Sequence, residues 1–119
     1  MIRIGHRDLH SFMKEVLMSV KVPEDHAATI ADVLIDADIK GIDSHGISRL
    51  KKIYYDRIKL GIVNPETDIT IEKESSSSIL INGNNGMGHV VSQFGMLRGI
   101  EKAKKSGSCM VAVKDSSHY

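Results

Sequence analysis

At 119 residues and 13.1 kDa the chain has the size of one domain, long enough to bury roughly two thirds of the surface its extended form would expose. Hydrophobic residues at 41% and charged residues at 26% are ordinary globular usage and exclude a disordered, collagen-like or acidic solvating chain. Sixteen Lys and Arg against fifteen Asp and Glu leave a formal charge of +1, so the basic field needed for non-specific nucleic-acid or membrane-surface binding is missing and neither partner is expected. The one cysteine, Cys109, has no second thiol for an internal disulfide or a CxxC pair. The N-terminal residues lack the apolar core of a signal peptide, and no stretch approaches the roughly 18 apolar residues of a membrane span. The expected location is cytoplasmic.

In chain order, Leu9, Phe12, Met13, Val16, Leu17 and Val20 recur at helical spacing and predict an amphipathic helix with Asp8 as its N-cap. Pro23, Glu24 and Asp25 form a helix-start signal for a second helix reaching about Lys40. Its stripe of Ala27, Ile30, Ala31, Leu34 and Ala37 is narrow, and Gly41 supplies the stop. Asp43 or Ser44 then caps a third predicted helix that runs to about Leu60, before Gly61. At about 100° per residue, Ile47, Leu50, Tyr54 and Ile58 share one side of it, while His45, Arg49, Lys52 and Asp56 share the other. The core therefore does not claim His45 or Arg49.

Beyond Gly61 the hydrophobic period changes from helical to alternating, which predicts a helical domain over 1–64 and an α/β domain from 65 to 119. The expected elements of the second domain are strands at Ile69–Glu74 and Ile79–Asn82 joined by a serine hairpin tip, Ser75 to Ser78, followed by a glycine turn from Gly83 to Gly88. A fourth helix from His89 to about Ser106 would bury Val90, Phe94, Leu97 and Ile100. Ser108 to Val113 reads as a buried strand. Such a strand needs hydrogen-bonding partners on both edges and cover on both faces. The expectation is thus the truncated first part of a larger α/β domain, with stability that depends on self-association.

Three constellations could carry chemistry. The first is Asp43, Ser44, His45 and Gly46 with Arg49: four residues apart on a helix, an imidazole and a guanidinium share a face, one to handle a proton and the other to fork onto a carboxylate. Equally, Ser44 could be a cap, His45 a first-turn residue and Arg49 a solvated charge. The second is Asp115 to Tyr119, where His118 follows a strand's carboxyl end, the usual place for active-site groups in α/β sheets, and could take an alcohol's proton as hydride leaves. Its alternative is a polar loop. The third is the glycine turn, spaced GxxGxG and not GxGxxG, which reads as structural, its helix N-terminus at most receiving an anion. His6, His10, His26 and His89 show no metal-ligand spacing. A Ser-His hydrolase is disfavoured, since there is no GxSxG elbow and the adjacent Ser44 and His45 would diverge by about 100° on a helix.

The stretch from Ala37 to Arg49, the turn from Asn82 to Gly88, the run from Ile100 to Lys105 and the ending from Ser116 to Tyr119 together resemble the malate/L-lactate dehydrogenase family of the second type, which also holds ureidoglycolate, sulfolactate and cyclic-imino-acid oxidoreductases. The resemblance implies an α/β fold of a helical domain joined to a non-Rossmann NAD(P)-binding domain, in an intertwined homodimer that transfers hydride between NAD or NADP and a small 2-hydroxy or 2-oxo acid. It further implies that Ser44 and His45 belong to the family's SHG motif in the catalytic cleft, that Arg49 holds the substrate carboxylate, and that His118 is the histidine of its SNH(F/Y) motif. His118 and Tyr119 would begin the segment that touches the cofactor. Ser117 departs from the usual asparagine. His118 is the candidate base and His45 an orienting or proton-relaying partner, although residue types leave the two histidines interchangeable. His118 and Arg49 are expected to converge around the substrate. Family chains are about three times as long, so the fragment by itself is not expected to turn over. The competing expectation is an inactive oligomerisation or binding module.

Overall fold

The computed structural model describes residues 2–119; Met1, where the first expected domain begins, lies outside them. The chain folds as two units that divide between Glu66 and Thr67.

The first unit is helical. α1 (His6–Ser19) and α2 (Glu24–Ile39) pack on each other, because the apolar stripes legible in the sequence meet there. Met13 and Leu17 of α1 and Ala27, Ile30, Ala31 and Leu34 of α2 are all fully buried. Asp8 sits inside the first turn of α1, and Gly5 takes the N-cap position expected for it. The predicted third helix is not one α-helix. It divides into two 3-10 turns, Asp43–His45 and Ile47–Arg49, a π-helical turn at Leu50–Tyr55, and the single turn α3 (Asp56–Lys59). The break lies at Gly46, whose φ of −92° and ψ of −146° are not helical. The apolar side survives the change of winding: Leu50, Tyr54 and Ile58 remain buried.

In the second unit β1 (Thr70–Glu74) pairs antiparallel with β2 (Ser78–Gly86), and β2 pairs parallel with β3 (Met110–Ser116), giving the order β1-β2-β3. The crossover between the parallel strands is α4 (Gly88–Ser106), as a parallel pair requires. The serines do form the hairpin tip, closed by the Ser75 N–H donating to the Ser78 carbonyl at 2.9 Å. β2 extends through the first part of the expected glycine turn. It does so because Asn84 and Asn85 accept positive φ values of 47° and 60°, and the Asn82 side chain takes the Asn84 N–H at 2.8 Å, a local bond that suits asparagine to this conformation.

The core of this unit is Ile79, Ile81 and Val91, flanked by Ile69, Ile71, Phe94, Val111 and Val113. α4 buries only the first half of the face the sequence predicts: Val90 is buried and Phe94 packs against the core. Leu97 and Ile100 are 59% and 44% exposed, because the helix lays Gly95 and Gly99 against the Val111 side chain, where a Cβ would stand 3.1 and 2.9 Å from its methyl groups. β3 starts two residues later than expected and is half-buried: Val111 and Val113 turn inward, while Met110, Ala112 and Lys114 are exposed. No helix among the described residues is long and apolar enough to cross a membrane.

Candidate active site

The expected site residues fall into two groups, one in each unit. In the helical unit the group begins where α2 ends. The Gly41 and Ile42 N–H groups donate to the Asp38 and Ala37 carbonyls at 3.0 and 2.8 Å, which closes the helix with Gly41 at a φ of 74°. The following 3-10 turn presents Ser44 and His45 to solvent. The Ser44 hydroxyl and His45 Nδ1 are 2.9 Å apart, so the divergence expected of neighbours on an α-helix does not apply to this tighter winding. A hydrolase still lacks its elbow.

Arg49 is tied back to the same turn. Its N–H donates to the Gly46 carbonyl at 3.0 Å, and its Nε donates to the Ser44 carbonyl. The guanidinium and the Ser44–His45 pair are therefore brought together, though by 3-10 winding and backbone hydrogen bonds and not by the i, i+4 spacing of an α-helix. Gly46 is glycine for a steric reason, since a Cβ there would overlap the Asp38 carboxylate, whose Oδ2 accepts the Ile47 N–H at 2.9 Å. Beneath the group, Tyr54 is 1% exposed. Burial pushes its hydroxyl up to about 12, against the pull of the Arg49 and Arg57 charges, so it stays neutral at physiological pH.

In the second unit the residues after β3 are clamped by the approach to α4. The Ser117 N–H donates to the Gly86 carbonyl at 3.0 Å, and the Gly88 N–H donates to the Ser117 hydroxyl at 2.9 Å. A Cβ on Gly88 would overlap the Ser117 carbonyl oxygen and stand 2.8 Å from that of His118. The glycine turn is structural, as expected, but the first amide of α4 is given to a serine and not to an anion. His118 and Tyr119 are exposed just beyond the strand's carboxyl end.

His89, in the first turn of α4, has only 4% of its surface exposed. Burial, and then the charge of His118, push its imidazole down to about 4. In the sequence His89 is one of the scattered histidines, and nothing in its pattern distinguishes Asp38. No periodicity marks either, because one is a polar residue in a core and the other acts on backbone eight and nine residues further on.

The chain is of the α/β class: a helical unit that presents serine, imidazole and guanidinium, followed by a mixed sheet with a histidine past a parallel strand's end. Over residues 4–119 it matches the malate/L-lactate dehydrogenase family, and it belongs to that family of hydroxy acid dehydrogenases. It is 43% identical over 118 residues to the L-sulfolactate dehydrogenase of Methanothermobacter thermautotrophicus, covering 99% of this chain and 34% of that protein. It is 44% identical to the malate dehydrogenase of Pyrococcus abyssi, covering 99% and 32%. Among solved structures, the malate dehydrogenase from Entamoeba histolytica superposes with a TM-score of 0.94 at 44% identity, over 98% of this chain and 32% of that one. The chain thus spans about a third of the length of the curated relatives it matches.

Proposed function

We propose that this chain supplies the substrate-facing portion of an NAD(P)-dependent dehydrogenase that interconverts small 2-hydroxy and 2-oxo acids. The observation that carries the reading is the tethering of Arg49 Nε to the Ser44 carbonyl beside the Ser44–His45 pair. With Nε engaged, Nη1 and Nη2 are the two donors for an end-on fork onto a carboxylate, and the His45 imidazole, paired with the Ser44 hydroxyl, orients the substrate hydroxyl or relays its proton. His118 is the general base for the hydroxyl proton in the oxidative direction and the acid in the reverse one.

The residues present fit the nicotinamide end of a dinucleotide: His118 and the 61%-exposed Tyr119 offer two rings at a strand's carboxyl end. The first amide of α4 is not free for a pyrophosphate, since the Gly88 N–H already donates to Ser117. When bound, the nicotinamide accepts or returns the hydride of the carbinol carbon. The assembly proposed is a homodimer and the location proposed is cytoplasmic.

The test is oxidation of NADH or NADPH with small 2-oxo acids by the chain, alone and completed with the remaining two thirds of a family member. Turnover by the completed enzyme that Arg49→Lys weakens through KM supports the reading; no turnover with any 2-oxo acid overturns it. A second reading, an inactive oligomerisation module, is favoured by exposed apolar side chains on α4 and β3, among them Met96, Leu97 and Met110. It predicts self-association without dinucleotide oxidation.

A further inference from the structure

Asp38 lies in the last turn of α2, outside the residues given roles above. Its Oδ2 accepts the Ile47 N–H at 2.9 Å, and the rest of the carboxylate fills the space where a Cβ on residue 46 would stand. Both contacts fall on one stretch of backbone, Gly46–Ile47. The Ile47 N–H opens the second 3-10 turn, where the winding itself offers no acceptor, so a remote carboxylate does the work of an N-cap.

Asp38 is itself fixed, because its carbonyl accepts the Gly41 N–H at 3.0 Å at the close of α2. From the seated backbone two links run outward. On one side Gly46 follows His45, whose Nδ1 meets the Ser44 hydroxyl. On the other, the Gly46 carbonyl accepts the Arg49 N–H at 3.0 Å, and Arg49 returns to the Ser44 carbonyl through Nε. An ordinary cap would tolerate a side chain at residue 46; this one leaves room only for hydrogen.

We infer that Asp38 is a positioning residue for Ser44, His45 and Arg49, its carboxylate seating the Gly46–Ile47 backbone and so setting the directions in which imidazole and guanidinium leave the chain. The inference rests on the reading of those three residues as the substrate-facing set, and the experiment separates the two. In the 119-residue chain, the His45 ring nitrogens and the Ile47 amide are followed by NMR in Asp38→Ala, Asp38→Asn and Gly46→Ala, with pyruvate titrated into the wild-type chain and Arg49→Lys.

Asp38→Ala is expected to shift the His45 ring resonances and to speed Ile47 amide exchange about tenfold or more, the loss of a bond to a charged acceptor. Asp38→Asn keeps an oxygen acceptor and restores both. Gly46→Ala leaves Asp38 in place but displaces its carboxylate, and reproduces the Asp38→Ala shifts. Wild-type His45 resonances in folded Asp38→Ala, or in Gly46→Ala if Asp38→Ala does not fold, overturn the inference, as does failure of asparagine to rescue. Displaced His45 resonances together with pyruvate binding indifferent to Arg49→Lys sustain the positioning role and remove the functional reading instead.

Discussion

At the scale of single residues, the second unit turns on two neighbours. His89 is held near 4 by burial first and by His118 second, whereas in the unfolded chain it returns to about 6.5. Between those values the unfolded chain binds a proton that the folded one does not. Stability is therefore complete above about pH 6.5 and falls as pH drops toward 4, by on the order of 3 kcal/mol. Urea unfolding of the wild-type chain and His89→Leu at pH 7.5, 6, 5 and 4 measures it: the variant should lose this part of the slope, and identical slopes would refute the assignment. Gly88 gives a second test. A methyl group there meets the Ser117 carbonyl, and Gly88→Ala is expected to cost about 1–3 kcal/mol, as overpacking against a fixed neighbour does. The same change should disturb the amide signals of Ser117 and His118 before those of β1.

At the scale of elements, α4 and the segment after α2 both depart from regular expectation, for different reasons. α4 is a regular helix whose inward face is set by close approach. Small residues, Gly95 and Gly99, pack on Val111, so the larger Leu97 and Ile100 are turned outward. Ile81→Ala, in the core of the unit, should then cost about 2–5 kcal/mol, while Leu97→Ala in this chain should stay within about 0.5 kcal/mol. Equal costs in chemical denaturation would contradict the packing. In the segment from Asp43 to Lys59 the irregularity is in the winding itself. Short 3-10 turns and one π turn bring Ser44 to His45 and Arg49 to Ser44, contacts that an α-helix through the same residues would not make. Irregular winding of this kind is frequent at functional sites.

For the whole molecule, the prediction concerns the enzyme completed with the rest of the family's length. Arg49→Lys is expected to raise KM for the 2-oxo acid about tenfold to a hundredfold, because an ammonium cannot reproduce the two-pronged contact. His118→Ala should instead lower kcat by about 10²–10⁴-fold, the usual contribution of a positioned acid or base. Steady-state kinetics distinguish the two patterns, and wild-type rates in either variant would remove the role proposed for that residue.

Much of this was written in the sequence. Helical spacing located α1 and α2 and most of their buried stripes, Phe12 of α1 being left 54% exposed; the serine run marked the hairpin tip, and the order of four motifs pointed to the family that the match over residues 4–119 then established. These features are local or periodic, and a chain reveals them because hydrophobic period and turn chemistry act over a few residues. The exceptions depend on groups distant along the chain. Asp38 at Gly46, Ser117 at Gly88 and Val111 at Gly95 and Gly99 each decide a winding or a face by occupying space next to a glycine, and no propensity encodes which remote atom will arrive there. Composition and spacing alone determined the classes of element outside the segment from Asp43 to Lys59 and the chemistry available; only the tertiary structure decided the winding of that segment and which way the site's side chains leave the backbone, since these are set by contacts between segments that meet only after folding.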